Sequence, residues 1–259
     1  MKIATWNVNS VNARLPTVVE VLKTCEADVW CLQEIKCVDE KFPREAFESL
    51  GYNVAVHGQK GFNGVAVLTR ASSGLTERRR GLPGDPDDTH SRYLEASAHG
   101  MIVASIYLPN GNPQPGPKFA YKLAWFERLI EHAATLIASP EPVLLIGDYN
   151  VVATDGVADI YSPVSWKNDA LLQPETRDAY RRLLAQGWTD AIHHLHPDKA
   201  IYTFWDFFRN RFARDAGLRI DHLLLNAPAA KRLEQAGVDK AVRGREKPSD
   251  HAPTWVVLG

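Results

Sequence analysis

Acids, amides and one histidine stand where apolar runs stop. Asn7 and Asn9 follow the run Lys2–Trp6, and Gln33 and Glu34 close Val29–Gln33. Tyr107 and Asn110 follow Ile102–Tyr107, and Asp148 and Asn150 follow Val143–Ile146. Asp221 interrupts Ile220–Leu225, and Asp250 and His251 sit just before Thr254–Leu258. Singly, each is an ordinary strand end, since Asn and Asp tolerate turn backbone. Together they gather hard oxygen donors from separate strands, a set that suits Mg²⁺ or Mn²⁺ better than structural zinc. Mg²⁺ typically takes one or two carboxylates and fills its shell with water and phosphate oxygens. The chemistry implied is phosphate-ester hydrolysis.

The elements that must carry these groups read as strands and helices in irregular alternation. Lys2–Trp6 and Val29–Gln33 are buried strands, with Leu15, Val18, Leu22 and Cys25 at helical spacing between them. Tyr52–Val56 and Gly64–Leu68 flank the turn Gly61–Gly64, and Tyr93–Ala98 and Ile102–Tyr107 flank His99-Gly100. Phe119, Leu123, Phe126, Ile130, Ala133 and Ile137 predict a helix with one apolar stripe. A second helix is expected around Thr176–Ala185, and further strands near Tyr202–Trp205, Ile220–Leu225 and Thr254–Leu258. Ser72–His90, with Arg78-Arg79-Arg80, reads as a solvated loop. Paired strands with helices between the sets predict an α/β protein: two mixed β-sheets packed face to face, helices outside.

The 259 residues are 45% hydrophobic and 24% charged, with a net charge of −1. Those values exclude a disordered chain and a small disulfide scaffold. No apolar run approaches the ~20 residues of a membrane span, so no membrane partner is expected. Bulk charge gives no hint of a polyanion partner, so any nucleic-acid contact must use a local basic patch. Cys25, Cys31 and Cys37 fit neither a zinc spacing nor a disulfide framework and read as free thiols. With strand-like sequence from the start, the expectation is one domain over residues 1–259, a monomer with no obligate protein partner, in the cytoplasm.

The strand-end motifs occur in a recognisable order. Thr5–Ser10, Leu32–Lys36, Ser105–Gly111, Gly147–Asn150, Tyr202–Trp205, Leu218–Asp221 and Ser249–Pro253 together resemble the exonuclease III family of apurinic/apyrimidinic endonucleases. That family lies within the wider endonuclease/exonuclease/phosphatase superfamily. The resemblance implies a four-layered α/β sandwich. It also implies a Mg²⁺-dependent DNA repair nuclease, with Mn²⁺ as a substitute, acting on double-stranded DNA that contains abasic sites or 3′ ends. Such an enzyme cuts 5′ to abasic sites, degrades DNA 3′→5′ and trims blocked 3′ ends. Two alternatives stay open: a related phosphodiesterase with mainly exonuclease, 3′-phosphatase or RNA activity, and a non-catalytic nucleic-acid-binding regulator.

The resemblance also assigns roles. Glu34 is a metal ligand, Asn7 holds the metal or orients its neighbours, and Asp250 contributes directly or through water. Asp148, Asn150 and His251 are further metal candidates. Asp148 activates the attacking water, either by taking its proton or, with a low pKa beside Mg²⁺, by orienting it. Tyr107, Asn150 and His251 donate to the scissile phosphate, and Asp221 orients His251 and raises its pKa. Asn110 is a further site residue. Phe204, Trp205, Leu218 and Ile220 occupy the family's abasic-sugar pocket, with Trp205 equally readable as core. Lys118, Lys122, Arg209, Arg211, Arg214, Arg243, Arg245 and Lys247 are the cations near these motifs and are expected to meet DNA. The segment Gly111–Pro117 is either a DNA-facing wedge or a connector.

Overall fold

A computed structural model describes residues 1–259. The chain runs β1 (Lys2–Asn7), α1 (Leu15–Cys25), β2 (Val29–Gln33), α2 (Arg44–Glu48), β3 (Tyr52–His57), β4 (Val65–Arg70), β5 (Leu75–Arg80), β6 (Tyr93–Ala98) and β7 (Met101–Tyr107). It continues through α3 (Pro117–Leu136), β8 (Val143–Asp148), α4 (Pro174–Leu184), β9 (Thr189–Asp190), α5 (Ala191–Leu195), β10 (Asp221–Leu225), α6 (Ala227–Ala230), β11 (Leu233–Val238) and β12 (Thr254–Leu258). Two six-stranded mixed sheets result, with strand orders β11-β12-β1-β2-β4-β3 and β5-β6-β7-β8-β10-β9. The parallel pairs β1/β2 and β7/β8 are the ones whose crossovers carry α1 and α3, as parallel pairing requires.

Side-chain alternation builds the layers and the site at once. Ile3 and Val29 of the first sheet meet Val103, Leu144, Ile146 and Leu223 of the second in one core cluster between the sheets. The alternate residues point outward. Trp6, Trp30 and Leu32 pack with α1 and α2 residues, while Ile106, Leu145 and Leu224 pack with α3 and α4 residues. The result is the expected four-layered sandwich. The same period places Asn7, Gln33, Tyr107, Asp148 and Asp221 on the inner faces at one end of the strands. One step below that end the filling is already polar. Gln33 Nε2 donates to Thr5 Oγ1 at 2.9 Å and to Ser105 Oγ at 3.0 Å, joining the sheets.

Several expected elements differ. In α3 the buried residues are Lys122, Trp125, Phe126, Leu129, Ala133 and Leu136, so the inward face is rotated from the predicted stripe. The long apolar side chains Trp125 and Leu129 set that face. Arg78–Arg80 lie in edge strand β5, which pairs with β6 and is held by Arg78–Glu95 and Arg80–Asp39 ion pairs. An exposed edge strand carries charge, and charge alone had suggested a loop. Strand β11 is a further edge that the reading missed. Tyr202–Trp205 forms no strand. Phe204 makes isolated bridges to Leu218 and His251, and Thr203 Oγ1 accepts from the backbone N–H groups of Ile220 and Asp221.

Gly147 is dictated by close approach. Its φ is +151°, and a Cβ there would lie 2.0 Å from the Ile106 carbonyl oxygen. A side chain would push β7 from β8 just where Tyr107 and Asp148 are register partners. Gly147→Ala is therefore expected to cost about 3 kcal/mol or more in urea unfolding. Gly100→Ala, at a turn with open space, is expected to cost about 1–2 kcal/mol. Equal costs for the two would refute the close-approach argument.

Candidate active site

Three strand ends of one sheet form a row. Asp148 is register partner to Tyr107 on one side and to Asp221 on the other. Register partners share a face, so the two carboxylates and the phenol point into the space between the sheets. The other sheet and its loops close this space with Asn7, Glu34, Asp250 and His251. A cavity of about 200 Å³ lies here, lined by those four residues with Tyr107, Asn110, Asp148, Asn150, Phe204 and Ile220. Trp166, Asp169 and Leu171 complete its wall. They come from the irregular segment before α4, which has no periodicity for a sequence reading to use. A tryptophan in a polar loop was the one available signal.

Asp148 is fixed on both oxygens. Asn7 Nδ2 donates to Oδ2 at 3.0 Å, and the Asn150 backbone N–H donates to Oδ1 at 2.9 Å. His251 Nε2 lies 3.6 Å from Asp148 Oδ2, and His251 Nδ1 lies 2.8 Å from Asp221 Oδ2. All three side chains are buried. Burial alone would lower the His251 pKa, but the Asp221 and Asp148 charges outweigh it and raise it to about 10. The ring is thus an imidazolium at neutral pH. Burial raises Asp148 to about 7, with the Asp221 charge adding and the His251 charge opposing. A carboxylate of raised pKa can take a proton from a water that it holds. Asp221 Oδ1 is buried without a partner, which leaves His251 as that carboxylate's side-chain partner.

Around this core the other polar groups hold one another. Tyr107 OH donates to Glu34 Oε1 at 2.8 Å. Asn9 Nδ2 donates to Asp250 Oδ1 at 3.2 Å, and the Asn9 backbone N–H donates to Asn7 Oδ1 at 3.0 Å. Asn110 Nδ2 donates to Asn150 Oδ1, and Asn150 Nδ2 donates to the Leu108 carbonyl. Asn9, Glu34 and Asn150 all have φ between +45° and +53°. Non-glycine residues in that region are uncommon and gather at functional sites.

Hard oxygen donors dominate the cavity, and no cluster of three His, Cys, Asp or Glu side chains forms a closed cage. Such a set fits a cation that takes one or two carboxylates and keeps its water, as Mg²⁺ does, and does not fit structural zinc. Glu34 is half-buried with Oε1 held by Tyr107. Its Oε2 and the carboxylate of Asp250 line the same cavity and could hold a divalent ion there.

Some expected DNA contacts are elsewhere. Lys122 is wholly buried, and its Nζ donates to the carbonyls of Asn110 at 3.0 Å and Asn150 at 2.5 Å. It braces two site loops from behind and cannot reach DNA. Trp205 is core: its Nε1 donates to Asp215, and its ring packs with Tyr202 and Ala252. Leu218 is wholly buried behind Ile220 and Phe204, in a cluster with Val152 and Leu171. Arg243 is buried against the Trp205 carbonyl, and Arg245 pairs with Glu20. Lys118, Arg209, Arg214 and Lys247 are exposed, and Arg211 is half-buried. The Gly111–Pro117 segment is tied down, since Asn112 donates to Asp169 and Gln114 to the Asn168 carbonyl. These bonds join the segment that follows Asn110 to the Trp166 loop.

The sequence profile described as Endonuclease/Exonuclease/phosphatase family matches residues 4–251. Exodeoxyribonuclease III of Haemophilus influenzae is 35% identical over 268 aligned positions, spanning 98% of this chain and 98% of that protein. Among solved structures, an AP endonuclease from Archaeoglobus fulgidus superposes with a TM-score of 0.94 at 35% identity, covering 100% of this chain and 99% of the other. A 3′ phosphatase from Neisseria bound to product DNA hairpin gives a TM-score of 0.95 at 38% identity, with 100% and 99% covered.

A His whose folded pKa exceeds its unfolded value stabilises the fold fully below the unfolded pKa, and that contribution is lost as pH rises through the folded pKa. For His251 this window runs from the ordinary imidazole value of 6.5 up to about 10. Asp221→Asn removes the principal charge holding the proton. Its imidazole titration, followed by NMR, is expected to move down toward or below the ordinary range, with the alkaline loss of stability moving down in step. An unchanged titration would remove Asp221 from this role.

Proposed function

The chain belongs to the endonuclease/exonuclease/phosphatase family, and on that premise we propose that it is a DNA repair nuclease that cuts 5′ to abasic sites and trims 3′ ends. One observation carries the reading. The His251 ring, held by Asp221 at 2.8 Å, lies 3.6 Å from the buried Asp148 carboxylate in a cavity that Glu34 and Tyr107 also line. The family is divalent-metal dependent. The hard oxygen set supports Mg²⁺ as the ion, with Mn²⁺ as a substitute.

The residues divide the work of one in-line displacement. Asp148, fixed by Asn7 and the Asn150 N–H, holds the water and takes its proton as the oxygen attacks phosphorus. The P–O3′ bond breaks, and the 3′ oxygen leaves and takes a proton from a water molecule. The His251 Nε2–H is placed to donate to a phosphoryl oxygen, where charge builds up. Tyr107, oriented by Glu34, offers a second polar contact on the opposite wall. Glu34 and Asp250 would hold the divalent ion, which would supply charge neutralisation at the phosphate oxygens. No covalent intermediate is required, so positioning and electrostatics carry the rate. Phe204 and Ile220 offer an extruded abasic sugar an apolar wall. A sugar that lacks its base swings out of the duplex at low cost, and this favours abasic sites.

A second reading makes 3′-end processing the main activity. The similarity to the Neisseria 3′ phosphatase, at 38% identity, favours it. The same catalytic residues serve both readings, and their presence weighs against a binding-only regulator.

Labelled duplexes carrying either an internal tetrahydrofuran abasic mimic or a 3′-phosphate test both readings, each with Mg²⁺ and with EDTA. We expect Mg²⁺-dependent incision 5′ of the mimic and removal of the 3′-phosphate, both abolished by EDTA. Loss of only the first favours the second reading. Glu34→Ala and Asp148→Asn are each expected to lower kcat by about 100-fold or more while the protein stays folded. Near-normal turnover by either variant would sink the assignment.

A further inference from the structure

A second cleft adjoins the catalytic cavity, and Trp166 and Asp169 line both. It holds about 580 Å³, against about 200 Å³ for the inner cavity. Phe208, Arg209 and Arg211, from the segment before β10, form its other side, with Asp206 beside them. The Arg211 guanidinium lies 4.5 Å over the Trp166 ring. Trp166 meets Phe204 edge-on at 6.2 Å, and Phe204 meets His251 edge-on at 5.0 Å. A run of rings thus leads from the reacting centre into the outer cleft. Phe208 is 74% exposed at its rim. Arg211 Nε is buried and has no hydrogen-bond partner.

Charge decides what this cleft takes. Two arginines alone would suit a phosphate, but Asp169 and Asp206 share the cleft and balance them by formal charge. A phosphodiester gains little there. An uncharged heteroaromatic ring gains stacking on indole, guanidinium and phenyl faces, and its carbonyl or ring nitrogen can accept from a guanidinium N–H.

We propose that the outer cleft is a stacking subsite for the base of an unpaired 3′-terminal nucleotide, bound as that nucleotide departs. The inference rests on the nuclease reading above. When a terminal nucleotide is removed, the P–O3′ bond breaks, the 3′-hydroxyl stays with the strand and the phosphate leaves with the nucleotide. The departing sugar then lies at the Phe204 and Ile220 wall, and its base extends over Trp166 toward Phe208. A paired base is retained by the duplex and cannot reach. The subsite therefore selects frayed or mismatched 3′ ends, whereas a bare 3′-phosphate uses the inner cavity alone.

The test compares wild type, Phe208→Ala and Phe208→Trp on recessed duplex ends bearing either a mismatched 3′ nucleotide or a 3′-phosphate. Phe208→Ala is expected to raise KM for the mismatched end about tenfold. Its kcat on that end, and 3′-phosphate removal, should stay within about twofold. Phe208→Trp should retain the wild-type KM. Separately, a mismatched 3′-terminal 2-aminopurine titrated with protein in EDTA should be quenched by wild type and much less by Phe208→Ala. Unchanged KM and quenching in Phe208→Ala would overturn the subsite, as would equal losses on both ends. Failure of wild type to process either end would overturn the nuclease reading instead. The 2-aminopurine titration then still decides the cleft: quenching that depends on Phe208 supports it, and none rejects it.

Discussion

Two buried carboxylates directly opposite each other on neighbouring strands repel unless a cation lies between them. Asp148 and Asp221 stand in this relation, and His251 is the cation that resolves it. The histidine comes from the other sheet's side of the molecule, in the turn before β12. It is located there by Trp6 Nε1, which donates to its carbonyl, and by Ser249 Oγ, which donates to the Asn7 carbonyl. The proton shared among these side chains therefore also joins the sheets at the site end. A charged group held from both sheets is ordered before any substrate arrives, and such preorganisation is what electrostatic catalysis needs.

The site's outer supports follow the same logic of buried charge with full partners. Arg219, two residues before Asp221, meets Asp159 at 2.7 Å and Asp190 at 2.6 Å. Burial pushes Asp190 up, but the Arg219 guanidinium wins and holds it well below the usual carboxylate range. Behind Asn150, burial lowers the Lys122 ammonium to about 7. Its two carbonyl partners keep the Asn110 and Asn150 loops in register with each other. Buried ion pairs contribute little net stability. They do fix direction, and here they fix the strand end and loops that aim Asp221, Asn110 and Asn150.

Much of the site was legible because it hangs on strand ends. Asn7, Tyr107, Asp148 and Asp221 stand where apolar runs stop or are interrupted, so the strand ends that carry them could be read from the runs alone. Trp166, Asp169 and Leu171 were not legible, since an irregular segment has no period from which to infer a facing direction. Lys122 misled because a lysine in a helix ordinarily reads as solvated, and only the paired carbonyls of two distant loops explain its burial. Trp205 and Leu218 misled for the opposite reason. Both are apolar residues near a site, and pocket and core look alike until the bridges at Phe204 show which face turns inward. The α3 phase also differed, since Trp125 and Leu129 turn inward where Leu123 and Ile130 were expected to do so.

This division between strands and loops has a chemical consequence. The inner cavity is lined by groups mounted on β1, β7, β8 and β10 or braced against them, whose positions the two sheets fix together. The outer cleft proposed for the departing base is lined by Trp166, Asp169 and Phe208, on segments held by side-chain contacts such as Asn112 to Asp169 and Arg211 over Trp166. Substitution in the first set disturbs the row in which Tyr107, Asp148 and Asp221 align, and with it any phosphate-ester hydrolysis. Substitution in the second changes what may depart and leaves the row intact. A site so divided keeps one hydrolytic step while the loops choose among an abasic sugar, a bare phosphate and a nucleotide that still carries its base.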